Sequence, residues 1–163
     1  MYVSVKCALI LLHQLSFSYG DSLVSFEIED YVGDRFVMKR DSASGQKSAH
    51  FKEGDYFNIN FCLRNITNVK LWSVVYSNDR SDDDVEFRLD GIMFGNLTTT
   101  YHSNYGHGWD EFMHYYPKGP SLTLSSGKHF ISVNVSHTDY YGIELDQLNI
   151  LTDSNLMKNT LIC

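Results

Sequence analysis

The chain has 163 residues, with 13 basic and 20 acidic side chains and a formal net charge of −7. Its longest basic cluster is the pair Lys39 and Arg40, so neither nucleic acid nor an anionic membrane is expected as a partner. No stretch reaches the roughly 20 apolar residues of a transmembrane helix, so no membrane span is predicted.

The first twenty residues have the layout of a secretory signal peptide. Lys6 precedes a short apolar run at 8–12, and the segment ends in small residues. A buried first strand or helix is the alternative interpretation of that run. With residues 1–20 assigned to the signal peptide, 21–150 is expected to form one domain and 151–163 a C-terminal tail, and the product is expected to be secreted.

Apolar side chains alternate with polar ones along most of the remaining chain, which is the period of a half-buried β-strand. The clearest hairpin joins 85–89 to 92–94 through Asp90-Gly91, a sequence that suits the positive φ angles of a tight turn. The same alternation predicts strands at 24–29, 36–38, 56–63, 69–76, 121–124, 129–136 and 143–150. About nine short strands without a convincing helix predict an all-β, two-sheet sandwich.

Two cysteines follow the predicted signal peptide, Cys62 and Cys163, and an exported protein can join them in a disulfide. Cys62 alternates with the apolar residues of its predicted strand, so it is expected on the outer face, within reach of the tail. Two alternatives remain for Cys163, which can begin a following module or pair between chains.

Three asparagines lie in Asn-X-Ser/Thr sequons: Asn65, Asn96 and Asn134. One sequon is common by chance, whereas three after a signal peptide agree with passage through the secretory pathway. Asn134 lies between Val133 and Val135 in an alternating segment, so its side chain is expected opposite the apolar face. The chain is therefore expected to be a glycoprotein.

Six segments occur in an order and at spacings that are typical of one family. They are Phe-Glu-Ile-Glu-Asp at 26–30, Phe-Lys-Glu-Gly-Asp-Tyr at 51–56, Phe-Arg-Leu-Asp-Gly at 87–91, Gly-Trp-Asp-Glu-Phe at 108–112, Leu-Thr-Leu-Ser-Ser-Gly-Lys-His at 122–129 and Tyr-Gly-Ile-Glu-Leu-Asp at 141–146. With these segments the sequence resembles the family 6 and family 35 carbohydrate-binding modules. The resemblance covers about 24–150 and implies a galactose-binding-like jelly roll.

The resemblance also implies a structural calcium ion held by Glu27, Glu29 and Asp146. Hard carboxylate oxygens are the ligands that Ca²⁺ prefers, and two glutamates two residues apart on one strand share a face. The alternative interpretation is that these are solvated acids on an outer sheet face.

In such modules, aromatic side chains in the loops at one end of the sandwich bind the sugar. The C–H face of a pyranose packs flat on a ring, while amides and carboxylates bind the hydroxyls. The matching positions are His50, Trp109, Phe112, Asp139, Tyr140 and Tyr141.

Two of these positions differ from the common family pattern. His50 stands where a tyrosine is frequent, and the Asp139-Tyr140-Tyr141 run stands where many members have asparagine. These differences leave open a changed ligand or a loss of sugar binding. Trp109 and Phe112, three residues apart on a predicted strand, are expected to face opposite ways, one of them into the core.

Catalytic and zinc chemistry find little support in the sequence. The histidines at 102, 107 and 114, with Glu111 among them, match no zinc spacing. The acidic residues at 82–84 and 110–111 could supply carboxylates for glycoside hydrolysis, which needs two of them at a fixed separation across a cleft. The acidic run in the turn at 81–84 is expected to be a solvated loop instead.

The sequence therefore predicts a non-catalytic, lectin-like module that binds carbohydrate or a glycoprotein. A protein-interaction or adhesion module on the same fold is one alternative. An accessory domain of a larger glycoside hydrolase is the other.

Overall fold

A computed structural model describes residues 21–79, 81–99 and 108–153, and the backbone of 156–158. The predicted signal peptide and Cys163 lie outside these residues. The described part of the chain forms twelve β-strands and three short 3-10 helices, and it contains no α-helix. Within it, no helix is long and apolar enough to cross a membrane.

The strands follow one another with short connections. They are β1 Ser22–Glu27, β2 Val37–Lys39, β3 Lys47–Phe51, β4 Tyr56–Leu63, β5 Thr67–Asn78, β6 Asp84–Leu89, β7 Ile92–Thr98, β8 Met113–Tyr115, β9 Ser121–Leu124, β10 Gly127–His137, β11 Ile143–Thr152 and β12 Leu156–Lys158. The 3-10 helices lie between β1 and β3, at Ile28–Tyr31, Asp34–Phe36 and Ser44–Gln46.

The strands form two sheets. The larger has the order β2-β3-β11-β5-β8, with β1 beside the second half of β11 and β9 beside the first part of β5. The smaller has the order β12-β4-β10-β6-β7. This architecture confirms the predicted two-sheet jelly-roll sandwich.

The core lies between the sheets and is built by the alternation that the sequence shows. In β10, Ile131, Val133 and Val135 are fully buried, while Asn134 is exposed. The rings of Phe51 and Phe57 stack in the core with their centroids 5.1 Å apart. Full burial of each such side chain contributes about 1.5–3 kcal/mol, so a one-residue shift in register would be costly.

The predicted hairpin is confirmed, with β6 and β7 joined at Asp90 and Gly91, whose φ angles are 50° and 83°. The end of the first predicted strand is wrong, because β1 stops at Glu27 and Glu29 lies in the following 3-10 helix. Strands β3 and β8 were not predicted. Both are short, and three residues of β8 are too few to show a period.

Part of the predicted tail belongs to the sandwich. Residues 151 and 152 complete β11, and β12 pairs with β4 so that Met157 lies opposite Cys62. Cys62 is fully buried, although its strand position had suggested an outward-facing site. A disulfide between Cys62 and Cys163 stays a prediction, because Cys163 lies outside the described residues.

The strand registers place four connections at one end of the sandwich. The start of β11 pairs with the ends of β3 and β5, since Ile143 lies opposite both Phe51 and Asn78. The start of β6 pairs with the ends of β10 and β7 through Asp84. This end of the molecule, formed by the β3–β4, β5–β6, β7–β8 and β10–β11 connections, is called the rim below.

Candidate functional site

A cleft of about 670 Å³ opens at the rim, and its lining includes residues of β3, the start of β11 and the β10–β11 loop. Its lining residues are Met38, Arg40, His50, Lys52, Glu53, Trp109, Thr138, Asp139, Tyr140, Tyr141 and Glu144. The structure therefore brings five of the six sequence-predicted ligand residues into one cleft. Phe112, which is partly buried, does not line it.

The β10–β11 loop presents two exposed aromatic rings. Tyr140 is 86% exposed and Tyr141 57%, and their rings meet edge to face with centroids 5.4 Å apart. The Asp139 Oδ1 atom accepts the backbone N–H groups of Tyr141 at 2.8 Å and Gly142 at 3.0 Å. Asp139 thus fixes the loop through an Asx turn, which leaves the rings facing solvent.

The loop is also tied to the β3–β4 connection. The Nε2 atom of His50 lies 2.7 Å from the carbonyl oxygen of Tyr141, and the Lys52 ammonium donates to the carbonyl of Tyr140. Gly142 has a φ of +84°, and a Cβ atom there would lie 2.3 Å from the carbonyl oxygen of Phe51. Glycine is therefore required for the loop to approach β3 this closely.

Trp109 reaches the cleft from a turn rather than a strand, so the predicted strand geometry for Trp109 and Phe112 is wrong. Gly108 and Asp110 both have positive φ angles, 126° and 68°, and β8 begins only at Met113. The Trp109 ring meets His50 edge to face with centroids 5.7 Å apart. Trp109 lies in a turn and not in a strand, so the alternation of side chains along a strand does not predict which way it points.

Asp110 holds this turn against the loop that follows β2. Its Oδ1 atom accepts the backbone N–H of Ser42 at 3.1 Å and the Ser42 hydroxyl at 2.9 Å. These hydrogen bonds hold the pKa of Asp110 below its usual value. Asp110 therefore has a structural role, which is to connect the Trp109 turn to the loop after β2.

A buried ion pair lies at the cleft and had not been recognised from the sequence. Arg40 donates to Glu144 from Nε, at 2.8 Å from Oε2, and from Nη2 to Oε1, and the Ser48 hydroxyl donates to Oε2 at 3.0 Å. The Glu144 side chain is 1% exposed and that of Arg40 24%. The hydrogen bonds to Glu144 raise the pKa of Arg40 above its ordinary value. Arg40 and Glu144 are 104 residues apart in the sequence, so no local sequence pattern predicts their contact.

Asp83, directly before β6, is fully buried. The expectation of a solvated acidic run at 82–84 is therefore wrong for Asp83, whereas Asp82 is exposed. Its Oδ2 atom accepts Asn78 Nδ2 at 2.8 Å, while Oδ1 has no hydrogen-bond partner. Burial, with smaller contributions from the charges of Asp139 and Asp79, raises the pKa of Asp83 to about 6. Burial and Asp139 likewise raise the pKa of Asp79.

Glu27, Glu29 and Asp146 form a second candidate site, called the acid cluster below. Each offers a carboxylate oxygen within 4.8 Å of the others. The glutamates do not share a strand face as predicted. Instead, the 3-10 helix after β1 carries Glu29, and a β-bulge between Leu145 and Gln147 interrupts β11 at Asp146.

Few donors compensate the charge of the acid cluster. The backbone N–H of Ser44 donates to Asp146 Oδ2 at 3.2 Å, and Gln147 Nε2 donates to Glu27 Oε1 at 2.9 Å. One oxygen of each acid, Glu27 Oε2, Glu29 Oε2 and Asp146 Oδ1, is buried without a hydrogen-bond partner.

The titration of the acid cluster reflects this lack of donors. Burial, with smaller contributions from the charges of Glu27 and Glu29, raises the pKa of Asp146 to about 7. The pKa of Glu29 is raised by burial first and then by neighbouring acids. Three unsatisfied carboxylate oxygens are a donor set that fits a hard divalent cation such as Ca²⁺. Among the described residues, this is the only group of three such side chains close enough to share a metal.

The other sequence features lie elsewhere on the surface. The sequon residues Asn65, Asn96 and Asn134 are all exposed. Of the histidines set aside above, His114 is exposed in β8, while His102 and His107 lie outside the described residues.

The two-sheet fold is similar to the folds of solved carbohydrate-binding modules. The chain is similar to a family 35 module from Clostridium thermocellum at 15% identity and a TM-score of 0.53, over 82% of this chain and 98% of that one. It is similar to the C-terminal family 6 module of a marine laminarinase from Zobellia galactanivorans at 13% identity and a TM-score of 0.56, over 79% and 98%. The fold implied by the sequence resemblance is thereby confirmed.

The chain also resembles part of a larger enzyme. An exo-β-1,3-galactanase from Phanerochaete chrysosporium is 19% identical with a TM-score of 0.57, over 80% of this chain but only 29% of that one. This chain thus spans less than a third of the galactanase. No protein-family model and no curated protein matches the sequence.

Proposed function

We propose that the chain is a non-catalytic, lectin-like module that binds carbohydrate, free or on a glycoprotein, in the rim cleft. The observation that carries this proposal is the pair of exposed rings, Tyr140 and Tyr141, at a cleft that also contains Trp109 and His50. Exposed rings offer flat apolar surfaces to the C–H faces of a pyranose.

The polar lining of the cleft supplies the other half of the recognition. Arg40, Lys52 and Glu53 carry groups that can bind sugar hydroxyls beside the rings. The volume of the cleft falls within the range of roughly 300–1,000 Å³ that is usual for small-ligand sites. Binding through one open cleft is expected to be weak and to gain strength from clustering.

The state of the cleft acids supports a role in binding rather than catalysis. Glu144 is held by Arg40 and Ser48, Asp139 accepts two backbone amides, and the Glu53 carboxylate lies 3.1 Å from His137 Nδ1. Glycoside hydrolysis needs one carboxyl group with a raised pKa and a second one across the scissile bond. Glu144 and Asp139 are therefore engaged in structural contacts, and the exposed Glu53 is the cleft acid that can turn to a sugar hydroxyl.

An accessory domain of a larger hydrolase is the second candidate, and the likeness to part of a galactanase favours it. This role is compatible with the first, because such a domain binds a sugar for an attached enzyme. A protein-interaction module on the same fold is the competing proposal from a different class.

We also propose that the acid cluster binds a structural Ca²⁺ through Glu27, Glu29 and Asp146. The ion would supply positive charge to oxygens that have no donor. In the same proposal the chain is secreted, glycosylated at Asn65, Asn96 and Asn134, and closed by a Cys62–Cys163 disulfide. The approach of β12 to Cys62 supports that disulfide.

A glycan array tests the main proposal, with Tyr141→Ala as the binding variant and Tyr116→Ala as its control. The two tyrosines are both 57% exposed, but only Tyr141 lines the cleft. Loss of an aromatic contact worth about 1.5–3 kcal/mol is expected to weaken binding roughly 10- to 100-fold in Tyr141→Ala. Tyr116→Ala should bind like the wild type.

Two results would count against the site. Equal binding by both variants would remove Tyr141 from it. A calcium-loaded protein that binds no glycan but captures a protein partner would favour the interaction module.

A further inference from the structure

The outer face of the smaller sheet carries one row of side chains across four strands. Asn134 of β10 lies directly opposite Tyr56 of β4 on one side and Glu86 of β6 on the other, and Glu86 lies opposite Asn96 of β7. Both asparagines are exposed, while the next residue on β10, Val135, is fully buried. Two sequons and one aromatic ring therefore share a single row on the same face.

Tyr56 is unusual for a large ring on a sheet, because 69% of its surface is exposed. Its side chain makes no hydrogen bond or ring contact with the described part of the chain. Burying a side chain of this size is normally favourable. The protein chain alone leaves that stabilisation unused at Tyr56.

The strand register places the side chain of Asn134 next to the Tyr56 ring. Side chains directly opposite each other on antiparallel strands have Cβ atoms about 4.5–5.5 Å apart. An N-linked glycan begins with a pyranose joined to Asn Nδ2, so its first ring would leave Asn134 beside Tyr56. On the other side, Glu86 is charged and its carboxylate accepts Arg88 Nη2 at 3.2 Å, so it offers no flat apolar surface.

We propose that the first sugar of a glycan on Asn134 packs against the Tyr56 ring. The modification then covers apolar surface that the protein chain leaves exposed. The inference rests on the proposed glycosylation, but not on sugar binding in the cleft. Asn96 provides an internal contrast, because its opposite neighbour is Glu86 and not an aromatic residue.

The test is a double-mutant cycle on the full chain secreted from a glycosylating eukaryotic cell line. Peptide mass spectrometry measures occupancy at Asn134, and thermal unfolding is followed for the wild type, Tyr56→Ser, Asn134→Gln and the double variant. With the glycan present, Tyr56→Ser should lower Tm by roughly 3 °C, and with Asn134→Gln it should have almost no effect. Tyr56→Phe should behave like the wild type, because it keeps the ring.

Asn96→Gln is the matched control, since it removes a glycan from the same row. Tyr56→Ser should still lower Tm in the Asn96→Gln background. If Asn134→Gln fails to fold, enzymatic removal of the glycan from folded wild type and Tyr56→Ser replaces that arm.

Two results would overturn the inference. An Asn134 that is unmodified in the secreted chain removes both the glycan and its packing. A modified Asn134 with equal Tyr56→Ser effects in both backgrounds removes the packing alone. The glycan array reports on the cleft separately in either case.

Discussion

Glu144 and Asp146 lie two residues apart on β11, and both are almost fully buried. Glu144, beside the cleft, receives hydrogen bonds from Arg40 Nε and Nη2 and one from Ser48. Asp146, in the acid cluster, receives one hydrogen bond from the Ser44 backbone and keeps one oxygen without a partner. Burial is therefore similar at the two sites, whereas compensation of the charge is not.

At Glu144 the protein chain itself supplies the partners that the buried charge needs, whereas in the acid cluster it does not. A buried charge is tolerated when a counter-charge and hydrogen bonds surround it, as at Glu144. Where they are missing, the group takes up a proton or binds a cation, and a pKa of about 7 for Asp146 expresses the first of these outcomes. Replacing each carboxyl group by its amide should thus have opposite effects at the two sites.

The largest effect is expected from Glu144→Gln, which breaks the compensated site. The amide cannot neutralise Arg40, so the guanidinium is left partly buried without its counter-charge. Loss of one partner of such a pair should lower the free energy of unfolding by about 3–5 kcal/mol, as measured by urea denaturation.

A matched double variant, Arg40→Met with Glu144→Gln, sharpens this result. Removing both charges should recover part of the lost stability, because no unpaired charge then remains. Equal stability of Glu144→Gln and the wild type would show that the ion pair has no role in the fold.

Asp146→Asn should have the opposite effect when no divalent cation is present. The pKa of Asp146 in the folded state is raised above its ordinary value of 3.8, so its protonated form favours folding. The stabilisation that protonated Asp146 contributes to the wild type is therefore fully present below about pH 4 and is lost as the pH rises through about 7. In EGTA at pH 8, Asp146→Asn should be more stable than the wild type by on the order of 3 kcal/mol, with a flatter pH dependence.

Calcium should reverse that order. Ion binding at 1,000 times the dissociation constant stabilises the wild type by about 4.1 kcal/mol, which exceeds the lead of Asp146→Asn in EGTA. Asp146→Asn should lose most of this gain because it lacks one charged ligand. Thermal unfolding of both proteins with calcium and with EGTA measures the crossover. Wild-type unfolding that is the same in both buffers would contradict the proposed calcium site.

The same contrast explains how far the sequence could be interpreted. Alternation decided the faces of β10, and Asp90-Gly91 located the β6–β7 hairpin, because both signals are local. The three acids of the cluster were found through the order of the family segments, although the wrong local structure was assigned to Glu29.

Three features of the site depend on contacts or angles that the sequence does not display. The Arg40–Glu144 pair joins distant segments, Asp83 is buried by rim connections that carry no period, and the Trp109 turn uses a positive φ at Asp110. Non-glycine residues seldom adopt a positive φ angle, so the sequence at Asp110 did not predict this turn.

The smallest effects are expected from two serines that serve the two carboxylate sites. Ser48 is fully buried and donates its hydroxyl to Glu144, so Ser48→Ala should cost about 1.5–3 kcal/mol, the range for a hydrogen bond to a charged group. Ser44 is partly exposed, and its hydroxyl donates to Glu27 at 3.2 Å while its backbone N–H serves Asp146. Ser44→Ala keeps the backbone bond and should cost only about 0.5 kcal/mol.

Calcium distinguishes the two serine variants further. The loss in Ser48→Ala should be the same with calcium and with EGTA, because Glu144 is neutralised by Arg40 in both conditions. The loss in Ser44→Ala should change between the two buffers, since the Glu27 carboxylate that accepts its hydroxyl is also a proposed calcium ligand. A calcium-dependent loss in Ser48→Ala would mean that the two sites are coupled through β11, and the separation drawn between them would then be wrong.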